Sequence, residues 1–573
     1  MIIEIMIGLG LGYLSWSLIA MEINYRRAAA IGIPLVRLPV DPMNLVWLIL
    51  EPSLWNILDK IPIDWGTFGR YSRRGCHFHD KATSHLKYGP VWALVTPCDI
   101  YIYFSDPDAI HDIFMRRTDF LRPSKMYKLL EVYGPCISTA SLADWPRHRK
   151  VLATPFNESI MKFVWDEALS QAKGLLELWT DDSKSEEISS AKDTRTLSLN
   201  VLAATGFRKS YKFDSASQTE TSYRDALQKV LDNVVLLMLV SPKVLQLPFM
   251  PKSWTQVGRA AVDFKVHMED MLNEETQLFE EGKMGSGTLM TSFVRALGVH
   301  QKEEANSQTS QPTSKGLTID EIFGNIFVIN FAGHDTTANT LAFTMILLAA
   351  YPDIQDWVSE EVNVIINDER DTWEYETLFG RLKRCRAVLL ETLRQFPPIM
   401  ALPRWSNDKS QVLRVGDQTI VIPPNTGVMP SILAVQMLPK YWEKPLIWNP
   451  KRWISVSSNQ SSLTNPSDQL DGEEIITPSQ STFFPWSDGL QNCPGQKFSQ
   501  VEFVAVIAVL LRDHRVNIVR KIGESLQEAR ERALAVTQDC NMELLLRMKD
   551  ADQVRLVWAK AEKFRSFDGH FII

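Results

Sequence analysis

Cysteine is scarce in this 573-residue chain. There are six (Cys76, Cys98, Cys136, Cys385, Cys493, Cys540), scattered, with no Cys-x-x-Cys pair. That excludes a disulfide framework and a structural zinc site, and it fits a reducing, cytosol-facing compartment. An excess of positive charge is also missing. With a net charge of −7, the bulk of the chain is not built to bind nucleic acid. There are no internal repeats. Outside the N-terminus, the uncharged stretch 234–240 is too short to span a bilayer. It reads either as core or as an apolar lip touching a membrane. The cluster Cys76, His77, His79, Asp80 and His85 has no metal-site spacing, so it reads as chance polar residues.

Apolar material is plentiful. The chain is 45% hydrophobic and 10% aromatic, enough for a large core in one or two domains. Residues 5–21 carry no charge, and Glu22, Arg26 and Arg27 follow. The run is slightly short of the ~20 residues a spanning helix needs. It is nevertheless predicted to be an uncleaved transmembrane anchor over 1–25, with the basic residues and everything after them in the cytosol. The string Gly8, Gly10, Gly12 has no preceding strand, which argues against a dinucleotide loop. Pro34, Pro39 and Pro42 predict a stiff linker within 26–64. The segment 43–65, with Trp47, Trp55 and Trp65, is read either as a second membrane contact or as an ordinary core helix. Residues 65–573 are expected to form the main domain, with solvated loops near 300–316 and 455–482.

Strands are predicted at 91–95 and 100–104 around Pro97-Cys98-Asp99, and a hairpin at 411–415 and 419–422 through Gly416-Asp417. Residues 158–293 are mostly helical in pattern. A long helix over 318–350 starts with a capping box, Thr318 with Glu321, and ends at Tyr351-Pro352. The expected fold class is mainly α with a small β portion.

Four stretches carry the chemistry. The first is Phe331-Ala-Gly-His-Asp-Thr-Thr337, inside the long helix. Gly333 costs about 1 kcal/mol against alanine, Asp335 needs hydration or a partner if buried, and Thr336 can bond back to an earlier carbonyl. This is either a kink with a satisfied polar patch or a groove where a small ligand meets an acid and a hydroxyl. The second is Glu391-Thr-Leu-Arg394, whose charged ends share a helix face, with Arg452 as a further partner. The third is Trp145-Pro-Arg-His-Arg149, which taken alone reads as a basic surface turn, although Trp145 and Arg149 share a face and could hold an anionic group. Arg147 and Lys150 read as solvated surface. The fourth is Trp486-Ser-Asp-Gly489-Leu-Gln491-Asn-Cys493-Pro-Gly495, a turn-rich loop before an apolar helix. A helix N-terminus lowers a thiol's pKa, so Cys493 is either a reactive thiolate or a buried structural cysteine before a core helix.

In this order and spacing, the four stretches resemble the cytochrome P450 family of haem-thiolate monooxygenases, from about residue 65 onward. The family loop is Phe-x-x-Gly-x-Arg-x-Cys-x-Gly. Here Gly489, Cys493 and Gly495 match, Trp486 replaces the phenylalanine and Gln491 the arginine. Gln436 stands where many members carry histidine. The wording of the loop and anchor is most similar to eukaryotic, particularly fungal, microsomal members.

The resemblance implies haem b with Cys493 as the thiolate ligand of iron. It implies cofactor contacts from Trp145, Arg149, Arg404, Trp486, Gly489, Gln491 and Gly495, and a structural triad of Glu391, Arg394 and Arg452. A dioxygen site is implied beside Ala332 and Gly333, with protons supplied by Asp335 and Thr336. An apolar or amphipathic substrate, in the setting of secondary metabolism, would meet Phe327, Phe331, Ile399 and Met400. Electrons would come from a separate NADPH-dependent flavoprotein reductase, and the enzyme would sit on the endoplasmic reticulum membrane facing the cytosol. The alternatives are a same-fold isomerase or dehydratase, a peroxide-using enzyme, and a non-catalytic haem binder.

Overall fold

The computed structural model describes residues 2–181, 188–213, 222–283, 287–306, 315–366, 373–456, 466–478, 481–542 and 544–561. Helix α1 (Ile2–Ala29) is followed by strand β1 (Leu35–Arg37) and helix α2 (Leu45–Leu58). Among the described residues no helix is long and apolar enough to cross a membrane, so the expected spanning anchor is not shown. The end of α1 docks on the main domain: the buried Asn24 amide donates to the Thr96 and Pro97 carbonyls at 3.0 and 3.2 Å, and Arg37 stacks on Tyr25. The segment expected as an extended linker is therefore built into the domain. It contributes a sheet strand and a helix capped by the Asn44 side chain.

Strands β2 (Val91–Val95) and β3 (Ile100–Phe104) pair antiparallel around the expected turn. Every residue in both is buried, which is why they read as continuous apolar runs. Helix α3 (Pro107–Met115) follows, capped by Asp106, and then β4 (Phe120–Leu121). The helical part comprises α4 (Trp145–Ala153), α5 (Glu158–Thr180), α6 (Ser190–Phe207), α7 (Lys252–Glu280), α8 (Ile319–Ala350) and α9 (Lys383–Gln395). Strand β5 (Arg404–Ser406), the hairpin β6 (Gln411–Val415) and β7 (Gln418–Ile422), and β8 (Gly427–Pro430) come next. Helix α10 (Gln496–Arg512) and the small pair β9 (Cys540–Met542) and β10 (Leu546–Met548) complete the set. The main sheet has the order β1-β2-β3-β8-β5-β4, and β6–β7 stands apart.

Of the two stretches expected as solvated loops, residues 307–314, 457–465 and 479–480 lie outside the described ones. The rest is ordered: a helix runs from Leu289 to Asn306, and Glu473–Ile475 pairs with Ile454–Val456.

The core explains the long-range order. Helix α10 is buried on every side over 501–511 and packs against α5, as a helix apolar all round must. Helix α8 begins with the expected capping box and runs straight through its polar motif. It packs on α6, where Gly333 permits the approach: a Cβ there would lie 3.1 Å from the Leu202 side chain. The first N–H groups of α9 are capped from outside. Glu361 accepts from the Arg384 and Cys385 amides at 2.6 and 3.0 Å.

One carboxyl in this core is poorly compensated. Glu502, on α10, is fully buried, and neither of its oxygens has a hydrogen-bond partner. Burial pushes it from 4.5 up to about 8, against a smaller opposing effect of the Ser198 hydroxyl. The folded chain thus keeps this proton where the unfolded chain has lost it, and stability falls as pH rises from about 4.5 through about 8. The melting temperature of Glu502→Gln should fall less across that window than that of the parent. Parallel pH profiles for the two proteins would show that Glu502 does not carry the effect.

Candidate functional site

Cys493 lies three residues before α10, in a loop shaped by its neighbours. Its N–H donates to the Trp486 carbonyl at 2.8 Å. Gly489 has φ +68, and a Cβ there would come within 2.8 Å of the Phe114 carbonyl oxygen, so helix α3 presses directly on the loop. His111 of α3 and Asp488 of the loop add a 2.6 Å contact. Gly495 has φ −85, and a Cβ there would make only an ordinary contact with Cys493 Sγ at 3.8 Å, so it is a helix cap and not a strained turn. The Trp486 indole donates to Ser499 at 3.1 Å, which fits the ring between the loop and the first turn of α10.

The thiol faces a cavity of about 320 Å³. The side chain is open to the cavity. Enclosure by the surrounding protein raises its thiol pKa, against the Gly495 N–H and the Arg149 guanidinium, which both pull down, so the helix start is not the dominant influence expected. A thiolate here therefore calls for a cation at the sulfur, which a metal supplies. A larger cleft of about 1350 Å³, beside α5, contains none of the predicted site residues.

The cavity brings together Trp145, Arg149, Phe331, Ala332, Thr336, Ile399, Arg404, Trp486, Gln491 and Cys493. It does not bring together all the expected residues. Phe327 is fully buried in the core, its ring 5.4 Å from Tyr133 and 6.4 Å from Phe331. Met400 is also in the core, beneath the residue that does line the wall, Ile399. Gly333 meets α6 instead of the cavity. Asp335 turns away as well: Arg195 Nε lies 3.0 Å from its carboxylate, and Arg547 of β10 pairs with it from the other side. Thr336 stays on the wall and bonds back to the Ala332 carbonyl at 3.0 Å.

At one edge of the cavity cations gather without acids. Arg404 is buried and Arg122 half-buried, and among the described residues neither pairs with a carboxylate. Burial brings Arg404 down to about 10, against the pull of the Tyr127 hydroxyl and with repulsion from Arg122, and burial lowers Arg122 too. The Trp145 indole N–H is buried with no partner. Such a set is costly unless an anionic group arrives. The carboxylates of a haem fit it, with Gln491 as a neutral donor beside them. Arg149 is partly committed elsewhere: its guanidinium donates to the Asn492 carbonyl and side chain, both at 2.7 Å. The nearby Arg147 is not the solvated residue expected. It binds Glu321, Asp144 and the Gly316 carbonyl.

Behind the loop, Glu391 and Arg394 are both 0% exposed. Arg394 donates to both oxygens of Glu391 at 2.9 Å. Arg452 Nε, the Trp453 indole and the Asn449 N–H donate to the same carboxylate at 3.1, 2.9 and 2.8 Å. Gln436 has a role here. Its amide caps the Leu393 and Arg394 carbonyls at the end of α9, and its oxygen accepts the N–H of Phe484, where the cysteine loop begins.

Three contributors were missed by sequence reading. Arg122 lies in Phe120-Leu-Arg-Pro123, a stretch with no spacing rule. Asn492 was read as filler between the motif positions, and the burial of Gln436 gave no sequence signal.

A mainly helical fold, with one cysteine at a helix start facing a cavity rimmed by unpaired arginines, defines a haem-thiolate protein. The chain belongs to the cytochrome P450 family, whose model matches residues 65–542. It is similar to a cytochrome P450 monooxygenase of Arthrobotrys oligospora, 28% identical over 96% of this chain and 98% of that protein. It is also similar to a monooxygenase of Penicillium roqueforti, at 26% over 88% and 89%. A phomenoic acid biosynthesis cluster monooxygenase of Leptosphaeria maculans is 27% identical over 88% and 90%. The chain is a P450 monooxygenase, and its cofactor is haem b with an axial cysteine.

If Arg122 meets a haem carboxylate, Arg122→Leu removes a charge-assisted bond. The haem dissociation constant should rise about tenfold or more. Transfer of haem to apomyoglobin measures it, and an unchanged transfer rate would remove Arg122 from the clamp.

Proposed function

We propose that this enzyme inserts one oxygen atom from dioxygen into an apolar or amphipathic substrate of secondary metabolism, with electrons from a separate NADPH-dependent flavoprotein reductase. The observation that carries this reading is the cavity itself. It has Cys493 on one wall and Thr336 on α8 on another, with Phe331, Ile399, Leu402 and Leu545 supplying apolar surface. The Leptosphaeria relative is named for a biosynthetic cluster, which supports secondary metabolism as the setting. When bound at Cys493, the haem supplies the oxygen activation.

The chain's own residues divide the remaining work. Cys493 provides the ligand, and the Gly495 N–H stabilises its negative charge. Arg122, Arg404 and Trp145 orient the cofactor edge. Thr336 presents a hydroxyl to the reacting side and holds or passes a proton there. Asp335 can share that task only when its ion pairs with Arg195 and Arg547 yield. Apolar walls hold the substrate and exclude water.

The membrane setting belongs to the same proposal. The exposed Leu11, Leu14, Trp16, Leu18 and Ile19 of α1, and Val46, Ile49 and Leu50 of α2, support contact with lipid. Arg26 and Arg27 at the end of α1 support a cytosolic catalytic domain on the endoplasmic reticulum, with 1–25 as an anchor.

Cys493→Ser should lose the absorption band that a thiolate-ligated haem gives when reduced and bound to carbon monoxide, while keeping the helical content of the parent. A parent protein without that band would sink the whole reading. Thr336→Ala should keep the band but divert electrons, forming more hydrogen peroxide per NADPH consumed; unchanged coupling would relieve Thr336 of its role. The turned-away Asp335 favours one second reading, a peroxide-using enzyme, which turnover with peroxide in the absence of any reductase would identify.

A further inference from the structure

The loop 132–139 crosses the start of α8 backbone against backbone. Gly134 has φ +143, and a Cβ there would run into the Asp320 carbonyl oxygen. A Cβ on Gly324 would run into the carbonyl oxygens of Gly134 and Pro135. Glycine on both sides makes the approach possible.

A fully buried amide fastens this crossing. The Asn325 oxygen accepts the Ile137 N–H at 2.9 Å. Its nitrogen donates to the Glu321 carbonyl at 2.6 Å and to His148 Nδ1 at 2.9 Å. Because that partner is a donor, His148 keeps its proton on Nε2, which lies 3.4 Å from the Glu321 carboxylate. Glu321 is in turn held by Arg147 and by the Thr318 N–H. On its other side, the Ile137 carbonyl accepts from Arg122 at 3.2 Å. The Tyr133 hydroxyl ties the same loop to α7 through the Ala261 carbonyl at 2.9 Å. The loop is therefore fixed at three points, and the residues it delivers to the cavity wall are Ile137 and Ser138.

We infer that Asn325 is a positioning residue for substrate selection: by gripping the Ile137 amide it sets how far Ile137 and Ser138 project into the cavity. The inference rests on the cavity being the haem and substrate pocket proposed above. Asn325 touches neither, and acts through the loop.

Two azoles of different bulk, imidazole and 4-phenylimidazole, test this by optical titration of the holoprotein. Asn325→Leu should keep the reduced, carbon monoxide-bound spectrum of the parent. Its affinity for 4-phenylimidazole should change about tenfold relative to that for imidazole, the scale expected for one buried hydrogen bond lost. A ratio unchanged in Asn325→Leu, or an equal loss for both azoles, would overturn the inference.

If Asn325→Leu fails to take up haem, amide hydrogen exchange in the unmutated protein decides. The Ile137 amide should exchange as slowly as those of α8, and exchange at the rate of an open loop would end the argument. A parent without the thiolate spectrum would instead refute the function, because the Asn325 grip on Ile137 is read independently by exchange.

Discussion

The geometry of the cysteine loop depends on a carboxylate that never meets water. An ion pair buried as deeply as Glu391 with Arg394 is expensive, because desolvating both charges offsets most of their attraction. It is tolerable here because both oxygens of Glu391 are saturated, with donors from α9, from Arg452 and Trp453, and from the Asn449 amide. Arg394 spends its remaining donors on the Gln436 and Pro445 carbonyls. One charge pair thus gathers four chain segments distant in sequence. Through Gln436 and the Phe484 amide, the last of these contacts sets where the loop of Cys493 departs. Removing a single partner would strand a buried charge, so this network specifies one arrangement even where it adds little net stability.

The opposite imbalance marks the cavity. Around Glu391 every charge has its counterpart, whereas at the cavity edge Arg122 and Arg404 share only the Tyr127 hydroxyl and, among the described residues, no carboxylate. A folded protein accepts that only where a ligand supplies the missing charge. The same contrast resolves the departure at Gln491. A glutamine in place of an arginine removes a cation from the loop, but Arg122 reaches the edge from the other side of the fold. Arg149, fixed by Asn492, serves the loop and lies near enough to the sulfur to favour its charged form.

Much of this was legible in the sequence. The capping box of α8, the hairpin through Gly416, the strand pair around Pro97 and the class of site all follow from local patterns with known physical causes. What escaped has a common character. Asn492, Gln436 and Asn325 act through contacts with residues far away in the chain, and Arg122 lies beside the distant Arg404; nothing in their neighbours announces those partners. The thiol of Cys493 follows a related rule. The helix terminus is a local feature, but the protein walls that raise its pKa are a property of the assembled fold. The stretch from Pro34 to Pro42 was expected as a free linker because its prolines were weighed and the pairing of Leu35–Arg37 with β2 could not be.

The motif on α8 shows how far periodicity reaches. Successive helix residues are about 100° apart, so a contiguous run of polar residues cannot all face one cavity. Ala332 and Thr336, four apart, share the cavity face, and Thr340 continues it. Gly333 and Asp335 fall on other faces, and the structure gives each a partner on α6: Leu202 for the glycine and Arg195 for the acid. The helix wheel alone separates the hydroxyl from the acid. It cannot say that the acid is pinned, because Arg195 and Arg547 come from elements some 140 and 210 residues away. On the proposed function, Asp335 can support its sequence neighbour Thr336 only where Arg195 of α6 and Arg547 of β10 release it, so the relay would draw on three elements.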